Sequence, residues 1–343
     1  MWVGKLGFRR IERRLRGDVN LGAIPVLASG FEVIQSDRLS IGGEAPKSFI
    51  DFPTGGVLYA HAYIAKGSRK QGPRECVTEA LISSVASGLP LRIARSRLAV
   101  VPGAELGDPD VRFMSRYFLN TGRREILTHG VELVAIAFGM DTAAFREEVP
   151  RSAESGFYTV DLVEDVLKAV GRSEAERTDL LAGLGRMLGF DAIVGANDRH
   201  PRNWGIVQSA IDPDAPYRFA PVFDTARGLF WNFSDEQLLK KERDGNRQQF
   251  LEKYANESRP LIGVPGVGSC NHFDLVQHIL SSGRDRPVAK GLRAVASSFS
   301  VSRCERTLHL RFGRLLSRSR LELIRDLLDY RNARLKEICG NRR

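Results

Sequence analysis

The stretch that decides the fold runs Gly195-Ala196-Asn197-Asp198-Arg199-His200-Pro201-Arg202-Asn203-Trp204-Gly205-Ile206-Val207. It opens where a helical pattern stops. Over 174–194, Leu180, Leu181, Leu184, Met187, Leu188, Ile193 and Val194 form a wide apolar stripe, and Gly195 ends it. It closes in the apolar run WGIV, which reads as a strand able to pair with YRFAPVFD (217–224) as a hairpin. Pro201 prevents simple continuation of the helix. Asp198 and Asn203, five residues apart, therefore sit between a buried helix and an apolar strand. Asp224 follows Asn203 by twenty-one residues, at the end of the next apolar run.

Phosphoryl transfer needs such a set. One carboxylate must orient or deprotonate the attacking hydroxyl, and an amide plus a carboxylate must hold Mg²⁺ against nucleotide phosphates. Asp198 is the candidate base, and Asn203 and Asp224 are the candidate metal ligands. His200 can donate to a phosphate from the same loop.

Upstream, residues 31–105 read as strand-rich with one helix. FEVIQ (31–35), KSFIDF (47–52), VLYAHAYIAKG (57–67) and LRIARSRLAVV (91–101) carry β-branched and aromatic residues, and glycine-containing turns separate most of them. Lys66 ends the third run, where strand alternation directs it off the sheet. Nine residues on, ECVTEALISSVASG (75–88) has helical spacing, with Gly88 as its stop. A lysine bound to phosphates needs a carboxylate to hold its ammonium. Glu79 and Glu75 both qualify, and Glu79, deeper in the helix, is preferred. Ser40-Ile41-Gly42-Gly43-Glu44-Ala45-Pro46-Lys47 precedes the second run; adjacent glycines let backbone N–H groups approach a phosphate, and a plain hairpin turn would use them too.

Composition bounds the rest. The chain has 343 residues, 43% hydrophobic and 27% charged, enough to bury a core in about two domains or one bilobed unit. No run of 18 apolar residues predicts a membrane helix, and the charged start, MWVGKLGFRRIERRLRG, lacks a signal-peptide centre. Cys76, Cys270, Cys304 and Cys339 lie far apart, which predicts free thiols and a cytoplasmic location rather than a disulfide framework or a zinc site. The net charge of +10 is uneven: residues 1–20 carry +4, residues 301–343 carry +7, and the middle is close to neutral. Such ends suit solvated helix faces, nucleic acid or an anionic surface.

The order S-x-x-G-x-x-x-K, strand lysine, D-x-H-x-x-N and a later aspartate after an apolar run resembles the HipA-like serine/threonine kinases across roughly 31–235. The resemblance implies an α+β, bilobed protein-kinase-like fold with a small sheet-rich N-lobe and a larger helical C-lobe. The organisation expected is a basic segment at 1–30, an N-lobe with a phosphate-covering loop at 31–111, a hinge at 112–119 and a helical C-lobe at 120–343. The chain is expected to be a short member lacking the further N-terminal subdomain.

The resemblance further implies ATP with Ser40, Gly42, Gly43, Lys66 and Glu79 around its phosphates, Ser40 as an autophosphorylation site, and Mg²⁺ on Asn203 and Asp224. It places Asp198 as the base, with a protein hydroxyl as acceptor and a DNA-binding antitoxin as partner. The loop is also similar to the G-D-R-H-x-x-N loop of phosphoinositide kinases. Two alternatives therefore stand beside a protein kinase: a lipid or small-molecule alcohol kinase, and a non-catalytic module holding nucleic acid through its basic ends.

Overall fold

The computed structural model describes residues 8–9, 15–16, 18–27, 32–35, 47–51, 62–67, 72–101, 110–141, 157–244 and 246–340. The N-terminal half is built on a seven-stranded sheet. Its spatial order is β1 (Phe8–Arg9), β4 (Val26–Leu27), β8 (Ser96–Val101), β9 (Asp110–Arg116), β7 (Tyr63–Gly67), β6 (Lys47–Asp51) and β5 (Glu32–Gln35). Every pairing is antiparallel except β4 with β8. A two-stranded ribbon, β2 (Leu15–Arg16) and β3 (Val19–Asn20), lies before β4.

Strand alternation gives the sheet two faces. Tyr63 and Ala65 of β7 join Leu27, Ile50, Ala99 and Met114 in a small cluster on one side. Ile64 and Lys66, one residue out of phase and half-buried, face the other way. On that side helix α1 (Pro73–Val85) packs Val77, Leu81, Ile82 and Val85 over Leu98, Val100, Val111 and Phe113. Proline at the first helical position starts α1 without losing a hydrogen bond. The chain turns after Val85, and Gly88 lies just beyond, in the left-handed region at φ +81°.

The C-terminal half holds a three-stranded sheet and the main helical body. β10 (Glu125–His129) and β12 (Arg218–Phe219) flank β11 (Gly205–Ser209). The expected hairpin forms in the register Ile206↔Phe219. Among the described residues, the helices are α2 (Gly130–Ala137), α3 (Val160–Val170), α4 (Glu174–Val194), α5 (Asp235–Asp244), α6 (Arg247–Glu257), α7 (His272–Ser281), α8 (Pro287–Ser298), α9 (Val301–Thr307) and α10 (Arg318–Gly340). A π-helical turn, Leu308–Phe312, follows α9.

α4 is the central helix. Ser173 caps its start by accepting from Glu176 N at 3.2 Å. It runs against α8 with unusual closeness, because a Cβ on Gly185 would lie 1.9 Å from Val288 O, and one on Gly291 would lie 2.2 Å from Ala182 O. The apolar stripe read from the sequence is buried, with Leu180, Leu184, Ile193 and Val194 fully enclosed. One continuous core joins α1 and its face of the large sheet to this helical body.

Three features differ from the sequence-based expectation. Within the segment 1–30 that was read as basic, β1 and β4 are strands of the large sheet. Of the residues read as a hinge, 112–116 belong to β9, and only 117–119 leave the sheet. The C-lobe expected as helical from 120 also does not begin with a helix, since β10 comes first and pairs with β11 along five residues. Two- and five-residue strands carry too little periodicity to announce themselves; their partners, far away in sequence, define them.

Candidate active site

The site lies where β7, α1, the loop after α4 and the segment after β12 converge. Lys66 Nζ lies 3.2 Å from Glu79 Oε2 and 2.5 Å from Asp224 Oδ1. The lysine thus joins a helix thirteen residues on to a loop 158 residues on. Of the two glutamates weighed, Glu79 is the one that meets Lys66. It is 3% exposed, and its second oxygen accepts from Thr225 N at 3.3 Å. Burial raises the Glu79 carboxyl, with Lys66 opposing. Burial works against the Lys66 charge, and the two carboxylates more than offset it, so the ammonium stays protonated.

The loop is set by the end of α4. Gly195 adopts φ +67°, the left-handed conformation that ends helices and suits glycine. The Ser258 hydroxyl lies 2.6 Å from Asn197 Oδ1 and 3.1 Å from Gly195 O. Asn203 N donates to His200 O at 2.9 Å, and Asn203 Nδ2 donates to Asp198 O at 2.7 Å. The amide nitrogen is therefore committed inward, which leaves its oxygen as the atom for a ligand. Arg202 N donates to His200 Nδ1 at 3.1 Å, which puts the ring proton on Nε2. Burial lowers the His200 pKa, with Asp198 and Asp224 opposing, so the ring is neutral at pH 7. Asp198 shifts upward: burial raises it, and Arg227, His200 and Lys66 oppose.

Two arginines complete the arrangement, and neither was singled out from the sequence. Arg199, 1% exposed, meets Asp191 of α4 through Nε and Nη2, both at 2.8 Å. Its Nη1 donates to Asn203 O at 2.6 Å and to Phe223 O at 3.0 Å. One nitrogen thus ties the residue Asn203 to the residue preceding Asp224. Burial works against the Arg199 charge, and Asp191 more than offsets it. Arg227 Nη1 lies 3.2 Å from Asp198 Oδ1. A signal for Arg199 existed: Asp191 stands alone in the apolar run GFDAIV, and a buried carboxylate needs a partner. No linear pattern marks Arg227.

Asp224 itself has φ +54°, uncommon for a residue with a side chain, and Leu229 and Phe230 follow at +49° and +61°. The segment is held against this cost. Val222 N donates to Arg92 O at 2.8 Å, and Phe230 N donates to Tyr254 Oη at 2.9 Å. Toward the lobe junction, the Phe223 ring stacks on Phe118 at 6.0 Å and meets His129 edge-on at 5.9 Å.

Ser40, Gly42 and Gly43 lie outside the described residues. Among the described residues, no group of three His, Cys, Asp or Glu side chains gathers as a metal cluster. Asn203 and Asp224 offer hard oxygens, of the type that suits Mg²⁺, on two segments that Arg199 ties together through the carbonyls of Asn203 and Phe223. All four cysteines are free and buried.

The family of HipA-like C-terminal domains matches residues 39–281. The chain belongs to this HipA-like family. No curated protein matches it. Among solved structures, it is similar to the Helicobacter pylori proinflammatory kinase CtkA, with a TM-score of 0.67 and 16% identity over 88% of this chain and 92% of that one. That likeness makes the fold of this HipA-like chain a bilobed, kinase-like α+β fold. The Shewanella oneidensis MR-1 HipA, solved with HipB and operator DNA, aligns at a TM-score of 0.44 and 12% identity, covering 90% of this chain and 72% of that one. A Golgi casein kinase with Mn and ADP bound aligns at 0.33 and 11%, covering 88% and 72%. Among the described residues, no helix is long and apolar enough to cross a membrane.

Proposed function

We propose that this chain is an ATP- and Mg²⁺-dependent kinase that transfers the γ-phosphoryl group to a serine or threonine hydroxyl of a protein. The observation that carries this reading is the meeting of Lys66 with Glu79 and Asp224 beside the Asp198–Asn203 loop. Phosphoryl transfer is largely a matter of positioning and charge, and these residues suit those tasks.

Lys66 would bind phosphate oxygens, with Glu79 holding its ammonium in place. Asn203 and Asp224 would hold Mg²⁺, which when bound neutralises charge on the phosphates. Arg227 meets Asp198 Oδ1, and Oδ2 would accept the substrate hydroxyl's proton. His200, neutral with its proton on Nε2, would donate to a phosphoryl oxygen. The half-buried rings of Phe118 and Phe223 offer a surface for the purine beside residues 117–119.

A DNA-binding antitoxin as partner, a cytoplasmic location and autophosphorylation at Ser40 belong to the same reading. The test is incubation of purified protein with γ-labelled ATP, Mg²⁺ and cell lysate, followed by identification of the labelled residue. Label on protein serine or threonine in the wild type, lost in Asp198→Ala, is expected. Label confined to lipid or to a small alcohol would overturn the choice of acceptor, and no label at all would overturn the kinase reading.

A further inference from the structure

A second constellation lies at the N-terminal end of α1. Asp18, in the turn before β3, places Oδ2 2.7 Å from Arg74 Nη1, 3.0 Å from Asp235 N and 3.5 Å from Arg320 Nη2. Phe233 O accepts from both arginines at 2.6 Å. Arg320, whose side chain is 2% exposed, also donates through Nε to Asp235 Oδ1 at 2.5 Å. Two guanidinium groups and two carboxylates from four separate parts of the chain thus share one point. Burial and the neighbouring Arg320 both work against the Arg74 charge, and Asp18 and Asp235 oppose them.

The position of this cluster gives it a consequence for the site. α1 is tied to the segment after Asp224 twice. Glu79 accepts from Thr225 N at 3.3 Å, and Arg74 donates to Phe233 O at 2.6 Å. The two side chains are five residues apart, about 7.5 Å along the helix. Between those ties lies Arg227, whose side chain holds Asp198 and whose carbonyl accepts from Asn197 N at 2.8 Å. The far end of the clamp is anchored by the helical body, through Arg320 of α10 and through Asn20 N, which donates to Leu315 O at 2.9 Å. Val19, Leu21 and Ile24 bury their side chains beside it.

We propose that Asp18 is a positioning residue for phosphoryl transfer, and that the N-terminal segment 18–27 controls the site through it. Its carboxylate draws Arg74 and Arg320 together and so sets both α1, which carries Glu79, and segment 225–235, which carries Arg227. Withdrawal of this one carboxylate removes the group that both guanidinium groups share and leaves their mutual repulsion less offset. The tie from Arg74 to Phe233 O then loses its anchor, and the alignment of Lys66 with Asp198 loosens. The proposal rests on the kinase reading above. Whatever pulls segment 18–27 from its seat would lower activity without touching the nucleotide.

The test uses the full chain with Asp18→Asn, Asp18→Glu, Arg74→Met and the double variant Asp18→Asn/Arg74→Met. Asp18→Asn should lower kcat roughly 5–150-fold, the range of couplings between sites. Amide hydrogen exchange should accelerate in 73–85 and 225–235 and stay unchanged in α8. Asp18→Glu should recover part of the loss, and the double variant should be no worse than the poorer single one. Unchanged kcat with unchanged exchange, or a loss matched by faster exchange throughout the chain, would overturn the proposal. Should Asp18→Asn not fold, Arg74→Lys probes the same clamp by the same exchange criterion. A wild type that transfers no phosphate would sink the kinase reading alone, because the exchange pattern still decides the clamp.

Discussion

Arg199 and Asp191 form a two-pronged ion pair, 2.8 Å on each prong, with 1% of either side chain exposed. The pair fastens the last turns of α4 to the loop that bears Asp198. The third prong reaches the carbonyls of Asn203 and Phe223, so three elements of the candidate site share one buried cation. A charge in that position is costly alone and tolerable only with its partner.

Asp191→Ala should therefore be among the most damaging changes in the chain. It leaves Arg199 charged, enclosed and unpaired, a loss of about 3–5 kcal/mol. Urea unfolding followed by circular dichroism measures it. A loss under about 1 kcal/mol, the usual range for exposed pairs, would mean that water reaches Arg199.

Asp198→Ala and Asp224→Ala should separate two roles. The first should lower phosphoryl transfer by about 10²–10⁴ while nucleotide binding persists. The second should weaken nucleotide binding itself, because Asp224 is a metal-ligand candidate that also neutralises Lys66. Thermal shift with Mg²⁺-ATP reads the difference. Nucleotide at 100 times its Kd adds roughly 2.7 kcal/mol to the wild type, and Lys66→Ala/Asp224→Ala should lose that gain. More than a tenth of wild-type transfer in Asp198→Ala would remove it as the base.

The upward shift of Asp198 has a pH signature. A base must be ionised to accept a proton, so activity should fall as pH drops through the raised value, above the ordinary aspartate range near 4. The sign for stability is the reverse. A carboxyl that holds its proton more tightly when folded contributes stability below its unfolded pKa, and that contribution is lost as pH rises through the folded one. Asp198→Asn should thus be inactive yet more stable than the wild type at pH 7, with the difference fading in acid. Paired denaturation curves at pH 7 and pH 4 measure this, and a destabilised Asp198→Asn at pH 7 would reverse the assigned shift.

Gly185→Ala tests the contact of α4 with α8. Its Cβ would stand 1.9 Å from Val288 O, so the helices must part, which typically costs about 1–3 kcal/mol. Gly268→Ala, where an added Cβ meets nothing within 4 Å, should leave the melting temperature unchanged. Equal melting temperatures for the two variants would show that the helices yield without cost.

Local pattern accounts for much of what was legible beforehand. The stripe from Leu180 to Val194 fills one long helix, and helix 174–194 followed by a left-handed Gly195 lies where that stripe ends. Strand alternation around Lys66 turned its side chain off the sheet toward α1, and the spacing of WGIV and YRFAPVFD produced the β11–β12 hairpin. Such features depend on neighbours within a few residues, so the residue order by itself determines them.

Only the tertiary structure decided which charges meet. Glu75 and Glu79 are both one helix away from Lys66, and the packing of α1 on the sheet brings Glu79 within reach. Asp191 and Arg199, Asp198 and Arg227, and Asp18 with Arg74 and Arg320 are pairings between groups that are ordinary in the linear chain. Short strands such as β1, β4 and β10 likewise exist through their partners. An ion pair or a two-residue strand has almost no local free energy of its own. It is chosen when the folded core excludes water around it, so that any charge or backbone group left without a partner would destabilise the fold.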